Sequence, residues 1–380
     1  MFFDLSEEHL MIRKAARDFA QNELKPGVIE RDSKMTHPTE FIKRMGELGF
    51  MGMMVDPKYD GGGMDTLSYV IAIEEISKID NSCSVTMSVN NSLVCWGLET
   101  YGTEAQKEKY LKKLATGEFI GAFCLSEPEA GSDATMQRTI AEDKGDHYIL
   151  NGTKNWITNG GTADVYLVIA QTNIEAGSRG INCLIVEKGQ KGFEVGAKED
   201  KLGIRSSDTH SLLFSDVIVP KENRIGDDSF GFTFAMKTLS GGRIGIAAQA
   251  LGIAAGAFEL ATAYAKEREA FGKPISQHQA IQFKLADMAT EIEAARLLVY
   301  KAAWLKDSGE DYNMAGSMAK LFASEVAMKT TVEAVQVHGG YGFVKEYHVE
   351  RLMRDAKITQ IYEGTSEVQR IVIGRTVLKD

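Results

Sequence analysis

The amino-acid sequence predicts a mainly α-helical protein with a compact β domain in its middle. Apolar residues recur at helical spacing through residues 1–118, and long patterns rich in Ala, Leu, Met, Glu and Lys return over residues 229–380. Between them, residues 119–228 hold short β-rich runs separated by Gly, Asn and Asp. A chain of 380 residues exceeds one ordinary core, so two or three packed units are expected. The predicted order is a helical domain, a β domain and a helical bundle.

The first helix is predicted from its start and its stop. Ser6 can cap a segment with two acidic residues in its first turn, and Pro26 ends it. Gly61-Gly62-Gly63 lacks the Lys-Ser/Thr and the preceding strand of a phosphate loop, so we interpret it as a flexible connection. Further helices are predicted at residues 39–48, 68–79 and 104–114.

Four short runs rich in β-branched and apolar residues predict strands in the middle domain. They are residues 148–150, 165–170, 183–186 and 212–219. Pro220 closes this region, and only Pro274 interrupts the helical patterns that follow it.

Charge and composition argue against several classes of protein. The formal net charge of −10 lacks the basic footprint that phosphate binding needs, so no nucleic-acid partner is expected. No stretch approaches the ~20 apolar residues that we expect of a membrane span. The N-terminal residues show neither a secretory nor a transit pattern. We therefore expect a cytoplasmic, bacterial protein, with a processed mitochondrial matrix form as the alternative.

The cysteines and histidines indicate neither disulfide nor metal chemistry. Cys83, Cys95, Cys124 and Cys183 form no CxxC pair and lie in apolar surroundings, as reduced core thiols do. The seven histidines make no metal-binding spacing, so no metal site is expected.

The strongest candidate for chemistry is the segment 358–369. Thr365 can cap the final helix, Gly364 permits an unusual backbone angle, and Glu363 stands just before the helix begins. A carboxylate there is both positioned and reachable. Spacing alone fits a charged residue on a solvated loop at least as well.

Three further segments have two interpretations when only their residues are considered. Residues 122–133 end in a good Gly-Ser-Asp turn, and the tryptophan within residues 155–159 suits a core as well as a flat ligand. Residues 336–342 contain three glycines and fit a helix-ending turn.

In these motifs the sequence resembles the acyl-CoA dehydrogenase family. Family members carry a Tyr-Glu-Gly-Thr segment, here residues 362–365, after an Arg-Asp-Ala-Lys run, here residues 354–357. The likeness extends from the first helix to the last, with the other motifs in family order. It implies an N-terminal helical domain, a β-barrel-like middle domain, a C-terminal four-helix bundle, and FAD as the cofactor.

The resemblance implies a role for each motif residue. Glu363 is the implied catalytic base, which removes the α-proton of an acyl-CoA thioester while a hydride leaves the β-carbon for the flavin. Substrate contacts are implied for Ser132, Ser240, Arg243 and Gly364. FAD contacts are implied for Phe123, Leu125, Ser126, Gly131, Ser132, Trp156, Ile157, Thr158, Arg268, Phe271, Gln279, Gln336, Gly339, Gly340, Thr365 and Glu367. In the family, the bundle residues among these hold the FAD pyrophosphate and adenosine across a subunit boundary.

One position separates this sequence from part of the family. Relatives such as isovaleryl-CoA dehydrogenase carry the base on a bundle helix, just before an arginine, where this chain has Gly242 and Arg243. Glycine cannot act as a base, so the role stays with Glu363. Arg243 is expected to orient the Glu363 carboxylate or the acyl group.

The resemblance also implies partners and a substrate range. We expect a homotetramer with one FAD per subunit and electron-transfer flavoprotein as the acceptor, and no Gly-x-Gly-x-x-Gly nicotinamide motif follows a strand. Segments 88–93 and 241–245 look most like the short-chain, butyryl-CoA branch. The alternatives are an acyl-CoA oxidase, although those relatives are generally longer, another flavoenzyme on the same fold, and a catalytically silent helical assembly protein.

Overall fold

The computed structural model describes residues 4–379 and places helices, a sheet and helices in the predicted order. The N-terminal helices are α1 (Glu7–Phe19), α2 (Val28–Lys34), α3 (Thr39–Glu47), α4 (Thr66–Ser77), α5 (Asn81–Ser88), α6 (Trp96–Tyr101), α7 (Glu104–Gln106) and α8 (Lys112–Ala115). Three π-helical turns extend or join these helices, at Ala20–Leu24, Val89–Cys95 and Lys107–Leu111.

The local signals for the first helix are confirmed. The Ser6 hydroxyl accepts a hydrogen bond from the backbone N–H of His9 at 3.2 Å, and two glutamates follow in the first turn of α1. The π-helical turn ends at Leu24, two residues before Pro26. The helices predicted at 39–48, 68–79 and 104–114 correspond to α3, to α4 and to the segment from α7 to α8.

The glycine-rich loop is a connection, but its description as flexible was wrong. The N–H of Gly62 donates to the Gly52 carbonyl at 2.9 Å, and the N–H of Gly63 donates to the Val55 carbonyl at 2.8 Å. A Cβ on Gly61 would lie 2.1 Å from the Val55 carbonyl oxygen. The glycines therefore permit a tightly packed loop, because no side chain would fit at that approach.

The middle region forms a sheet of eight strands. They are β1 (Gly121–Cys124), β2 (Ile140–Asp143), β3 (His147–Thr158), β4 (Val165–Gln171), β5 (Ile181–Glu187), β6 (Phe193–Lys198), β7 (Thr209–Pro220) and β8 (Arg224–Ile225). The strand order is β6-β7-β3-β2-β4-β5-β8, with β1 pairing parallel to β4. All four strands predicted from the sequence are confirmed, and β1, β2, β6 and β8 are additional.

The sheet buries apolar residues on both faces of its central strands. Tyr166 and Val168 of β4 point into the core of the β domain, whereas Leu167 and Ile169 pack toward the helices. Because a strand alternates its side chains, a strand covered on both sides becomes apolar throughout, as β4 is. The predicted unit boundaries at 118/119 and 228/229 stay a prediction.

The C-terminal region packs around one long helix. Its elements are α9 (Gly231–Glu267), the short strands β9 (Glu269–Ala270) and β10 (Lys273–Pro274), α10 (Gln279–Asp307), α11 (Asn313–His338), α12 (His348–Thr359) and α13 (Ser366–Val377). Helices α9 to α12 form the predicted four-helix bundle, and α13 packs on α11. Contrary to the sequence-based expectation, α9 is long and apolar enough to span a membrane, but 83% of its most apolar window is buried inside the protein. It is therefore the core helix, and its apolar residues share one cluster with α1 and α4.

Candidate active site

Glu363 lies in a strained turn between α12 and α13. Its backbone has φ 53°, in the left-handed region that side chains rarely adopt, and Gly364 follows at φ 92°. Thr365 then caps α13 as predicted, because its hydroxyl accepts a hydrogen bond from the N–H of Val368 at 3.3 Å. Strain of this kind persists where the surrounding structure holds it and is common at functional sites.

The Glu363 carboxylate points inward and makes no hydrogen bond with any residue from 4 to 379. The residue as a whole is half-buried, but its Oε2 atom is buried and accepts no hydrogen bond among the residues that the structure describes. Burial raises the pKa of Glu363 to about 7, although the charges of Lys320 and Arg243 act to lower it. A carboxylate in this state is suited to accept a proton near neutral pH.

Helix α9 passes directly beside this carboxylate, and only a glycine at position 242 permits so close an approach. A Cβ at position 242 would lie 2.3 Å from Glu363 Oε2 and 2.7 Å from a methyl carbon of Leu93. A side chain at position 242 would therefore enter the same space as the Glu363 carboxylate. There is room for one acid here, and this chain supplies it from the turn.

Polar side chains, several of which the sequence analysis missed, pack along α9 beyond the carboxylate. A Cβ on Gly245 would lie 2.4 Å from the Tyr69 hydroxyl, which itself donates to the Ser88 hydroxyl at 3.1 Å. One helical turn further along α9, Gln249 accepts a hydrogen bond from the Tyr362 hydroxyl. Gln249 also donates to the Ser84 hydroxyl at 3.1 Å, so its amide is fixed. Ser88, Gly245 and Tyr362 lay within segments singled out from the sequence, whereas Tyr69, Ser84 and Gln249 did not.

The β-domain residues expected at the flavin come together on adjoining segments. Phe123 on β1 and Leu125 just beyond it are buried in the same apolar cluster as Leu93, and Tyr362 packs against that cluster. The N–H of Asn155 donates to the Ser126 carbonyl at 2.9 Å, which ties residues 123–126 to β3. The turn with Gly131 and Ser132 is exposed nearby, and Ile157 is buried while Thr158 is half-buried. The turn that carries Glu363 and the strand expected at the flavin therefore share one apolar wall.

Trp156 is presented to solvent instead of to the core. Its side chain is 57% exposed, although tryptophan usually buries most of its surface, and its backbone has φ 57°. The pairing of β3 with β7 is irregular between Lys154 and Ile157, which turns Trp156 outward. A large flat apolar face is thus exposed where a planar ring could stack.

The bundle residues expected at the cofactor lie far from Glu363. Arg268, Gly339 and Gly340 line a cavity of about 560 Å³. Lys320 of α11 contacts the turn of Glu363 through the Gly364 carbonyl. Gly339 ends the same helix 19 residues further on, which corresponds to about 28 Å at 1.5 Å per residue. Phe271, Gln279 and Gln336 are exposed and do not line this cavity, and Glu367 is exposed on α13. These residues do not join the Glu363 site within a single chain.

Arg243 makes its hydrogen bonds to α11 and not to the Glu363 carboxylate, and its expected role toward the acyl group stays a prediction. Its guanidinium donates to Asn313 Oδ1 at 3.0 Å and to the Ser317 hydroxyl at 3.3 Å, and no ion pair with Glu363 is formed among the described residues. Ser240 lies one turn away and also contacts Asn313, at 3.1 Å. Arg243 therefore acts on the carboxylate through its charge, and its direct partners are on α11.

Lys320 is a second site residue that the sequence analysis missed. It is completely buried on α11, and its Nζ donates to the Gly364 carbonyl at 2.5 Å. The sequence does contain a signal for it, because Lys320 interrupts a stripe of small residues at helical spacing that includes Gly316, Ala319 and Ala323. A lysine on the buried face of a helix requires a polar partner.

Three models of one protein family match the chain, and each covers one of its three structural regions. The acyl-CoA dehydrogenase N-terminal domain matches residues 6–118, its middle domain residues 122–217, and its C-terminal domain residues 230–378. The chain belongs to the acyl-CoA dehydrogenase family. The family and the fold class predicted from the sequence are thereby confirmed, and the protein is a flavoprotein dehydrogenase.

Individual relatives of this dehydrogenase align along their whole length. A short-chain specific acyl-CoA dehydrogenase of Clostridium acetobutylicum is 52% identical over 379 residues, with both chains fully covered. The structure of butyryl-CoA dehydrogenase from Megasphaera elsdenii matches at 50% identity with a TM-score of 0.98, again over both whole chains. A chain from a structure of the electron transferring flavoprotein of Acidaminococcus fermentans matches at 53% identity with a TM-score of 0.99, over both whole chains.

Proposed function

We propose that the chain catalyses the FAD-dependent α,β-dehydrogenation of a short-chain acyl-CoA to the trans-2-enoyl-CoA, with Glu363 as the base. The observation that carries this proposal is the buried Glu363 carboxylate, which has an oxygen without a partner and a pKa raised to about 7. A carboxylate in water is far too weak a base for the α-proton of a thioester. Burial strengthens it as a base, and the site must also stabilise the enolate that develops.

The turn offers a donor for that enolate. The backbone N–H of Glu363 makes no hydrogen bond among the described residues, whereas its neighbour Tyr362 donates to the Ile358 carbonyl at 3.1 Å. A thioester oxygen held by the Glu363 N–H would place the α-carbon beside the carboxylate of the same residue. Backbone donors fixed before the reaction stabilise developing charge without reorganisation.

The residues present fit FAD. The exposed ring of Trp156 and the strand segment from Phe123 to Ser126 border the apolar wall of the site, as a flavin ring requires. Arg268 and the glycines at 339 and 340 line the separate cavity, where a guanidinium and backbone N–H groups suit a pyrophosphate. Bound FAD supplies the acceptor for the hydride that leaves the β-carbon.

The acyl pocket is expected to be short. Tyr69, Ser88 and Gln249 fill the space beyond the Glu363 carboxylate along α9, and the Gln249 amide is hydrogen-bonded in place. Each additional buried methylene contributes only ~0.8 kcal/mol where room exists, and here the room is occupied by polar groups.

We expect kcat/KM to be highest for straight-chain substrates of about four to six carbons and to fall by about twelve carbons. The measurement is reduction of the bound flavin and steady turnover across a chain-length series. Gln249→Ala should move the optimum toward longer chains by about two carbons, because it removes the amide at the floor. A wild-type optimum at lauroyl-CoA or isobutyryl-CoA would contradict the short-chain assignment.

The function itself is tested with the purified holoenzyme. Butyryl-CoA added without oxygen should bleach the flavin, and electron-transfer flavoprotein should then restore turnover. A colourless folded protein would overturn every flavoenzyme reading, and rapid turnover with oxygen alone would favour an oxidase. We propose a cytoplasmic location, which is supported by the likeness to bacterial acyl-CoA dehydrogenases at 50–52% identity.

We further propose a homotetramer with one FAD per subunit. The bundle surface exposes large apolar side chains on three helices, which is typical of a subunit interface. They include Phe283, Leu297 and Trp304 on α10, Phe322 and Val332 on α11, and Ile371 and Val377 on α13. A second chain would also bring Arg268 and Gly339 to a cofactor that they cannot reach from their own Glu363 site.

Sedimentation of the holoenzyme should therefore give a particle of four 41.7 kDa chains. Flavin content measured on the same sample should equal the number of chains. A flavin-saturated monomer would contradict both the assembly and the shared cofactor site.

A further inference from the structure

Lys320 is held in the protein interior by a single hydrogen bond. Its side chain has no exposed surface, and its Nζ donates to the Gly364 carbonyl at 2.5 Å. Among the described residues, no other acceptor contacts the ammonium and no carboxylate lies within ion-pair distance. A buried lysine destabilises the folded state unless its charge and its N–H donors have partners. A specific role is therefore expected for Lys320.

The carbonyl that Lys320 contacts belongs to the strained turn of the base. Gln369, from α13, donates to the same Gly364 oxygen at 2.8 Å and reaches the Glu363 carbonyl at 3.5 Å. One side chain from α11 and one from α13 thus hold the carbonyl of Gly364, the residue that follows Glu363. These are the side-chain hydrogen bonds to the backbone of Glu363 and Gly364 within residues 4–379, and they support a turn in which Glu363 has a left-handed φ of 53°.

Lys320 is also the principal positive charge that acts on the base. Burial raises the pKa of Glu363, and the charge of Lys320 opposes this more strongly than that of Arg243. The other titratable groups near the carboxylate are the phenols of Tyr69 and Tyr362. Around Lys320, burial lowers the pKa of the ammonium to about 8, Glu363 and Glu367 raise it, and Arg243 lowers it.

We propose that Lys320 is a positioning residue for the dehydrogenation, which fixes the Glu363–Gly364 turn and supplies the charge that keeps the base ionised. The inference rests on the proposed role of Glu363. Lys320 is not expected to touch the substrate, because its ammonium donates to the Gly364 carbonyl behind the carboxylate. It sets where the carboxylate stands and at what pH the carboxylate can accept a proton.

The test is Lys320→Met in the flavin-loaded enzyme, since methionine preserves volume without charge or donor. Anaerobic flavin reduction by butyryl-CoA should slow by about 10- to 100-fold, as expected for a displaced catalytic group. The apparent Kd for butyryl-CoA, measured from the change in the flavin spectrum, should stay within about threefold. The midpoint at which the rate rises with pH should move up by about one unit, because a cation near a carboxylate lowers its pKa.

Gln369→Met is the matched control, because it removes the other donor to the Gly364 carbonyl without removing a charge. It should slow reduction while leaving the pH midpoint in place. An equal midpoint shift in both variants would overturn the charge role of Lys320, and an unchanged rate and midpoint in Lys320→Met would overturn the whole inference.

Two further variants separate the possible failures. If Lys320→Met does not retain flavin, Lys320→Gln replaces it, since glutamine keeps a donor and lacks the charge, and the same midpoint shift is expected. Normal flavin reduction by Glu363→Gln would overturn the proposed base itself. Loss of reduction in Glu363→Gln together with unaltered behaviour of the Lys320 variants would overturn only the inference about Lys320.

Discussion

Glu363→Gln is expected to retain bound FAD and to lose flavin reduction by butyryl-CoA. Removal of a general base costs at least about 10²- to 10⁴-fold in rate, and glutamine cannot accept the α-proton. The substitution preserves shape, and Oε2 has no partner among the described residues to lose. Rapid-mixing measurement of flavin bleaching under anaerobic conditions gives the rate directly. Reduction at the wild-type rate would remove Glu363 from the mechanism.

The same variant should not be less stable than the wild type at alkaline pH. The pKa of Glu363 is raised from 4.5 to about 7 in the folded protein, so ionisation disfavours the folded state as the pH rises between these values. A neutral amide does not have this penalty, and its Tm above pH 7 should match or exceed that of the wild type. Glu310→Gln, at an exposed glutamate on the loop before α11, is the control and should retain full activity.

Signals that act within a few residues were sufficient to predict the local structure. The hydroxyls of Ser6 and Thr365 cap α1 and α13 as predicted, because a cap is formed by a side chain and an N–H three residues apart. The apolar, β-branched run at residues 165–170 likewise predicted the strand that the structure shows as β4. The loop at Gly61 shows the limit of such signals, since its close packing depends on Val55.

The parts of the site that could not be predicted depend on pairing between distant segments. Lys320 contacts Gly364, 44 residues further on, and Tyr362 contacts Gln249 across 113 residues. No local pattern specifies which helix faces that turn. The same reason explains the different placement of Arg243, whose hydrogen-bond partners lie on α11 and not at the carboxylate.

A buried ion pair supports the strand proposed to hold the flavin. Lys154 on β3 is fully buried and donates to Glu127 at 2.6 Å, to the Leu125 carbonyl at 3.0 Å and to Gln137 at 2.5 Å. The Glu127 carboxylate is also buried and accepts the N–H groups of Arg138 at 2.6 Å and Thr139 at 3.1 Å. The charge of Lys154 and these hydrogen bonds lower the pKa of Glu127 against its burial.

Lys154→Met should therefore lower the free energy of unfolding by about 3–5 kcal/mol, because it leaves the Glu127 charge buried without its partner. Flavin affinity is expected to fall as well, since the Leu125 carbonyl loses its hydrogen bond to Lys154 of β3. Adding Glu127→Gln to Lys154→Met removes both charges and should recover most of the stability.

Lys144→Met is the control: it breaks an exposed pair with Glu142 and should change the free energy of unfolding by less than about 1 kcal/mol. Chemical denaturation followed by flavin and protein fluorescence measures all three variants. If Lys154→Met were as stable as Lys144→Met, the ion pair would not be what holds the strand. The position of residues 123–126 would then depend on the pairing of β1 with β4, the hydrogen bond from Asn155 to Ser126 and the apolar packing of Phe123 and Leu125.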